Sequence, residues 1–141
     1  MRVFSKILVP LDLSSRGETV IPMALDLADP DRGVVWLLHV IETIEGADDG
    51  DLEAFYSELE TKARAALNVW IDNFGSAGAK IEPRISYGHR AKEILTQAEQ
   101  LGCDLIVLSS HRIDRDRPAG GIGTISHQVA LVCDCPVLLI R

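Results

Sequence analysis

The sequence predicts an α/β fold: a doubly wound, mostly parallel sheet with helices on both faces. Three observations carry this. Short apolar runs recur along the chain, at Ile7-Leu8-Val9-Pro10, Val34 to Ile41, Asp104 to Leu108 and Pro136 to Ile140, with an alternating stretch at Lys80 to Tyr87. Segments of helical period separate them. Val34 to Ile41 and Leu105 to Leu108 are nearly unbroken apolar stretches, which is how a strand covered on both faces reads. At 141 residues the chain fits one domain, residues 1–141, able to bury roughly 70% of its unfolded surface.

Taken in order, the first strand is Ile7 to Pro10, with a possible start at Phe4, and Leu11-Asp12-Leu13-Ser14-Ser15 ends it. Gly17 to Ala28 reads as a helix whose inner side is Val20, Ile21, Ala24, Leu25 and Ala28. Pro22 lies either in its first turn or at a kink. Val34 to Ile41 is the second strand, with His39 inside it as a satisfied core residue. Thr43 to Asp51 is acidic and glycine-bearing, a loop. Leu52 to Phe74 is the longest helix, with Leu52, Phe55, Leu59, Ala66, Trp70 and Phe74 as a core stripe. Lys80 to Tyr87 alternates, and Pro83 inside it suits an edge strand. Gly88 and His89 precede a helix with Ala91, Ile94, Leu95, Ala98 and Leu101 inward, stopped by Gly102. Asp104 to Leu108 is the fourth strand. A glycine-bearing loop follows, then a helix from Ile122 with Ile122, Ile125, Val129 and Val132 on one face, then the last strand, Val137 to Ile140. Strands joined throughout by helical crossovers require right-handed connections and a parallel sheet.

Composition excludes several classes. A net charge of −7 argues against a general nucleic-acid binder. Cys103, Cys133 and Cys135 make no disulfide framework, and Cys133-Asp134-Cys135 has no second ligand pair for zinc, so they read as buried, reduced thiols. Met1 to Lys6 leads into only a short apolar run, not a signal peptide, and nothing approaches the ~20 apolar residues of a membrane span. The expected compartment is the cytoplasm.

The segment from Leu105 to Ile140 has the layout of a phosphate cradle: strand, glycine-bearing loop, helix, strand. Gly120, Gly121 and Gly123 would let backbone N–H groups approach an anion, and Gly123-Thr124-Ile125-Ser126 would form the positive N-terminus of the helix. Arg112, Arg115 and Arg117 either attract an anion or form a solvated loop with Asp114 and Asp116. Ligands of doubly wound sheets bind beyond the C-terminal strand ends, where strand order reverses. If the first and fourth strands are neighbours, Asp12 and Ser109 to Arg112 face one crevice. Two roles fit Asp12 equally: a turn former, or an acceptor for a ligand. His111 is the sole plausible acid–base group beside the loop, and ordering that loop is its favoured role.

The order and spacing of several motifs resemble the universal stress protein family from end to end. These are Ile7-Leu8-Val9-Pro10-Leu11-Asp12-Leu13-Ser14, Leu37-Leu38-His39-Val40, Gly88-His89, Asp104 to His111, and Cys135-Pro136-Val137-Leu138-Leu139-Ile140. The resemblance implies five parallel strands in the order 3-2-1-4-5, and a homodimer paired through Val137–Ile140. It also implies an adenine nucleotide, ATP or AMP with or without Mg2+, as ligand. The residues it points to are Pro10, Leu11, Asp12 and Val40 at the adenine end. At the phosphate end it points to Ser109, His111, Arg112, Gly121, Gly123, Thr124, Ile125 and Ser126. Nucleotide binders of the family carry Gly, two residues, Gly, nine residues, then Gly-Ser or Gly-Thr. This chain has Ser109 and Arg112 at the two glycines and ten residues before Gly123-Thr124, so the phosphate loop is altered. Arg112 either blocks the phosphates or, with Arg115 or Arg117, replaces backbone contacts by charge-assisted ones. The expectation is a stress-response or regulatory protein that retains adenine-nucleotide binding. The alternatives are a ligand-free dimeric module with an unidentified protein partner, or a slow ATPase.

Overall fold

The computed structural model describes residues 3–44, 49–75, 78–110 and 125–141. In chain order the elements are β1 (Lys6–Pro10), α1 (Gly17–Leu27), β2 (Val34–Ile41), α2 (Asp49–Phe74), β3 (Lys80–Tyr87), α3 (Arg90–Leu101), β4 (Leu105–Ser109), α4 (Ile125–Val132) and β5 (Val137–Ile140). The strands form one parallel sheet in the order β3-β2-β1-β4-β5, as the resemblance implied.

The apolar runs are continuous because both faces of the sheet are covered. Ile7 and Val9 of β1 pack with Val20, Ile21 and Ala24 of α1 and Leu67 of α2. Leu8, between them, points the other way, toward Ile94 and Ala98 of α3 and Val129 of α4. Ile7, Leu8 and Val9 are all fully buried. Each such side chain contributes about 1.5–3 kcal/mol through removal from water, so β1 is the spine of both cores. Asp104 ties the two halves at the strand entrances: its carboxylate accepts from the backbone N–H of Ser5 (2.9 Å) and of Lys6 (3.0 Å). Gly102 adopts the left-handed conformation (φ 66°) that ends α3, a position a side chain would strain.

Several boundaries depart from the sequence reading. Phe4 makes an isolated bridge to Ala28 and does not extend β1. Pro22 sits inside α1, past the first turn. α2 begins at Asp49, so the loop predicted over 43–51 is shorter. Its buried face runs through Ala63 and Leu67, with Trp70 and Phe74 partly buried, whereas Phe55 is 48% exposed. Val132 was expected on the inner face of the last helix but is exposed at the end of α4. β4 is shifted one residue, to Leu105–Ser109. Pro83 does lie on an edge strand, because β3 pairs only with β2. Among the described residues no helix is long and apolar enough to cross a membrane.

Candidate functional site

Strand order reverses at β1, whose two neighbours are β2 and β4. Chains leaving a sheet in opposite directions open a crevice at such a point. Here it is a cavity of about 280 Å³. Its floor is apolar: Leu38 and Val40 from β2, Leu108 from β4 and Ile94 from α3. Pro10, Leu11 and Asp12 line it at the end of β1, and Ser109 at the end of β4. Ile125 and Ser126 bring the start of α4, and Arg16 and Arg90 bring two cationic side chains.

The backbone at the crevice follows from strand register. In a parallel ladder the N–H and C=O of one residue point to the same neighbour. Val34 N–H donates to Ser5 O (2.9 Å), and Leu38 O accepts from Leu11 N–H (2.8 Å), so the even residues of β2 face β1. The β1–β2 register ends at Pro10↔Leu38. Val40 lies two residues further on. Its N–H and C=O therefore point to the side from which β1 has departed, and Val40 lines the cavity.

The loop after β1 is held by three interactions. The Asp12 Oδ1 atom accepts from Ser14 N–H at 3.0 Å, and Ser14 Oγ accepts from Arg16 N–H at 3.3 Å. Leu13 between them has φ 68°, the left-handed region that a branched side chain enters only under constraint. His39 fixes the floor of this turn: its Nδ1–H donates to Leu11 O at 2.8 Å. A carbonyl can only accept, so the contact fixes the ring tautomer. His39 is thus half-buried and satisfied, as the sequence suggested. Partial burial works to raise the Asp12 pKa, but hydrogen bonds from Ser14 and the charge of Arg16 outweigh it. The carboxyl is held below its ordinary value and stays ionised. Asp12 therefore does form a turn, and it lines the cavity as well.

Across the crevice, Ser126 Oγ donates to Ser110 Oγ at 3.3 Å, and Ser110 N–H donates to Ile140 O at 2.7 Å. This chain of contacts locks the start of α4 to the ends of β4 and β5. At the other rim, Arg90 Nε approaches Glu42 Oε1 at 3.6 Å.

Of the residues singled out in the sequence, Pro10, Leu11, Asp12, Val40, Ser109, Ile125 and Ser126 are brought together around this cavity. His111, Arg112, Gly121, Gly123 and Thr124 lie outside the described residues, as do Arg115 and Arg117. Sequence reading missed Arg16, Leu38, Arg90, Ile94 and Leu108. Arg90 had one usable signal, its place after Gly88-His89 at the start of a helix beyond a strand's C-terminal end. Among the described residues, no three His, Cys, Asp or Glu side chains cluster to hold a metal ion.

A parallel sheet of this order, with an apolar crevice at its switch point, defines a doubly wound α/β protein with a ligand-sized cleft. The sequence profile of the universal stress protein family matches residues 4–141. The chain belongs to the universal stress protein family. It is 26% identical to universal stress protein YxiE of Bacillus subtilis over 149 residues, covering 99% of this chain and 100% of the relative. Among solved structures it is similar to universal stress protein UspA from Lactobacillus plantarum, with a TM-score of 0.79 at 23% identity and full coverage of both chains. It is also similar to the universal stress protein from Archaeoglobus fulgidus in complex with dAMP. There the TM-score is 0.66 at 20% identity, covering 99% of this chain and 100% of that one.

Proposed function

We propose that this protein is a regulatory module that binds an adenine nucleotide, ATP or AMP, in the crevice between β1 and β4. The observation that carries the reading is Val40. In this reading its C=O accepts from the exocyclic amine of adenine, and its N–H donates to the neighbouring ring nitrogen. Guanine presents the opposite pattern on that edge and would leave both backbone groups unpaired in an apolar floor. Leu38, Ile94 and Leu108 supply the apolar surface that a purine ring needs. The ionised Asp12 accepts from ligand hydroxyls, and the start of α4 with Ser126 receives the phosphate end, where helix-terminal N–H groups favour an anion. Arg112, His111, Gly121, Gly123 and Thr124 complete the phosphate contacts in this reading. The dAMP complex of the Archaeoglobus fulgidus relative is consistent with an adenine ligand in this fold.

In the same proposal the protein works as a homodimer in the cytoplasm. β5 is an edge strand, and all four of its residues, Val137 to Ile140, are half-exposed. An apolar edge of this kind is an aggregation hazard unless it is covered, and a second copy pairing along it would cover it.

The test is thermal. Nucleotide-free protein should melt higher with millimolar ATP or AMP, by about 2.7 kcal/mol of added stability at 100 times the dissociation constant. GTP at the same concentration should give a much smaller shift, and Asp12→Ala should remove most of the ATP effect. Equal shifts with ATP and GTP would refute the role of Val40. No shift with any adenine nucleotide would refute the binding itself.

A further inference from the structure

Arg90 lines the crevice from a position that runs against local preference. It is the first residue of α3. A helix N-terminus carries partial positive charge and disfavours a cation, so a guanidinium there has a cost that a neutral side chain would avoid. Departures of this kind gather at functional sites. Glu93, the acid of that turn, accepts from Gln97 Nε2 at 3.3 Å, and the ion pair of Arg90 is with Glu42 on another element. The Nε to Oε1 distance of 3.6 Å is longer than a well-formed hydrogen bond, and the two side chains are 41% and 55% exposed. Exposed pairs of this kind add little to stability.

The pair instead fixes a place. Glu42 stands two residues beyond Val40, just past the end of β2. Ile94 stands one turn beyond Arg90 on the same face of α3. Val40, Ile94 and Arg90 all line the cavity; the first two are buried and Arg90 is half-exposed. On the α3 side the wall therefore changes from aliphatic inside to cationic at the mouth. A guanidinium suits such a place better than an ammonium, because it is flat, weakly hydrated and lies readily on an aromatic face. This chain makes that contact elsewhere: Arg84 Cζ lies 5.9 Å from the centre of the Trp36 ring.

We propose that Arg90 is a contact residue for the base. Its guanidinium, steadied by Glu42, lies over the α3 side of the purine and closes the mouth of the crevice. This rests on the adenine-nucleotide reading above. Val40 then reads the edge of the base and Arg90 holds its face. A contact with the face is indifferent to the number of phosphates, whereas a contact with phosphate strengthens with each one added and weakens with salt.

Dissociation constants for adenosine, AMP and ATP would be measured by calorimetry at low and high salt. The proteins are the parent, Arg90→Ala, Arg90→Lys, Glu42→Ala and the double variant Glu42→Ala with Arg90→Ala. Arg90→Ala should weaken all three ligands by one common factor, about 3- to 30-fold, at either salt concentration, without lowering the melting temperature of nucleotide-free protein. Arg90→Lys keeps the charge and loses the flat fork, so it should recover only a minor part of that loss. Glu42→Ala should weaken binding by a smaller factor alone and by none in the Arg90→Ala background. A loss that grows from adenosine to ATP would overturn the proposal, since Arg90 would then be reading phosphate. So would equal binding by parent and Arg90→Ala, full recovery in Arg90→Lys, or independent effects of the Glu42 and Arg90 substitutions. A parent that binds none of the three ligands would instead overturn the nucleotide reading, and this one with it.

Discussion

Replacing Gly17 by alanine sets two effects against each other, and the structure says which wins. Gly17 opens α1, where alanine is the better helix former by roughly 0.5–1 kcal/mol. A Cβ built there would lie 2.5 Å from Trp70 Cζ2, 2.6 Å from Cη2 and 2.9 Å from Cε2. Carbon atoms pack at about 3.5–4.0 Å, so the ring must retreat by roughly 1 Å. Overpacking of this kind costs about 1–3 kcal/mol. Trp70 is only half-buried and can swing outward, which favours the lower half of that range. The net expectation is a loss of up to about 1.5 kcal/mol. At roughly 3 °C per kcal/mol for a chain of this length, the melting temperature should fall by up to about 4–5 °C. Tryptophan emission should move to the red as the ring meets water. The effect reaches the crevice too, because Arg16 precedes Gly17 and lines the cavity. Placing Gly17→Ala in a Trp70→Leu background should turn the cost into a small gain. A single variant that melts at or above the parent, with unchanged emission, would refute the steric reasoning.

Other perturbations probe the same frame. Leu67→Ala removes a fully buried side chain beneath α2 and should cost about 2–5 kcal/mol, read as a lower urea midpoint at constant slope. His39→Ala strips Leu11 O of its side-chain donor; about 1–3 kcal/mol of stability should go, and ATP-dependent stabilisation should fall with it. Asp12 has its pKa lowered on folding, so its ionised form stabilises the native state above the unfolded value of 3.8 and that contribution is lost as pH falls through the folded pKa. The stability gap between the parent and Asp12→Asn, measured by urea titration, should therefore be present at pH 7 and close in strong acid. Cys103 has its pKa raised, so its contribution holds below the unfolded value of 9.0 and fades toward pH 11; Cys103→Ser should flatten the alkaline loss of stability.

The strands and their order of appearance were legible because every central strand is buried twice over. Such burial leaves no room for polar residues, and the run itself becomes the signal. The phase of α2 was not legible. At about 1.5 Å per residue its 26 residues extend well beyond the eight-residue strands it crosses. Its overhanging first turns have little sheet to pack on, and Phe55 stays exposed although its spacing fits a core stripe. At the crevice, Asp12, Ser109 and Ser126 were found because they follow strand ends or open a helix. Arg16 was not, since an arginine at a cavity rim has the same local pattern as one in solvent, and Arg90 carried only the signal of its place after Gly88-His89. The cysteines read as buried thiols but are half-exposed around one cavity. That gathering was invisible for a different reason: Cys103 and Cys133 are thirty residues apart, and only the adjacency of β4 and β5 unites them.

The placement of β1 also has a consequence for synthesis. β1 leaves the ribosome before the other four strands and occupies the middle of the sheet, yet its β4 neighbour starts only at Leu105. At about 5–20 residues per second, β1 and β2 must wait several seconds with one edge open before the rest of the sheet exists. A nascent chain stalled just short of Leu105 should therefore be cut readily by protease and held by chaperones, and one stalled well past Ile140 should resist both. The native sheet cannot close around β1 until β4 and β5 have both been made.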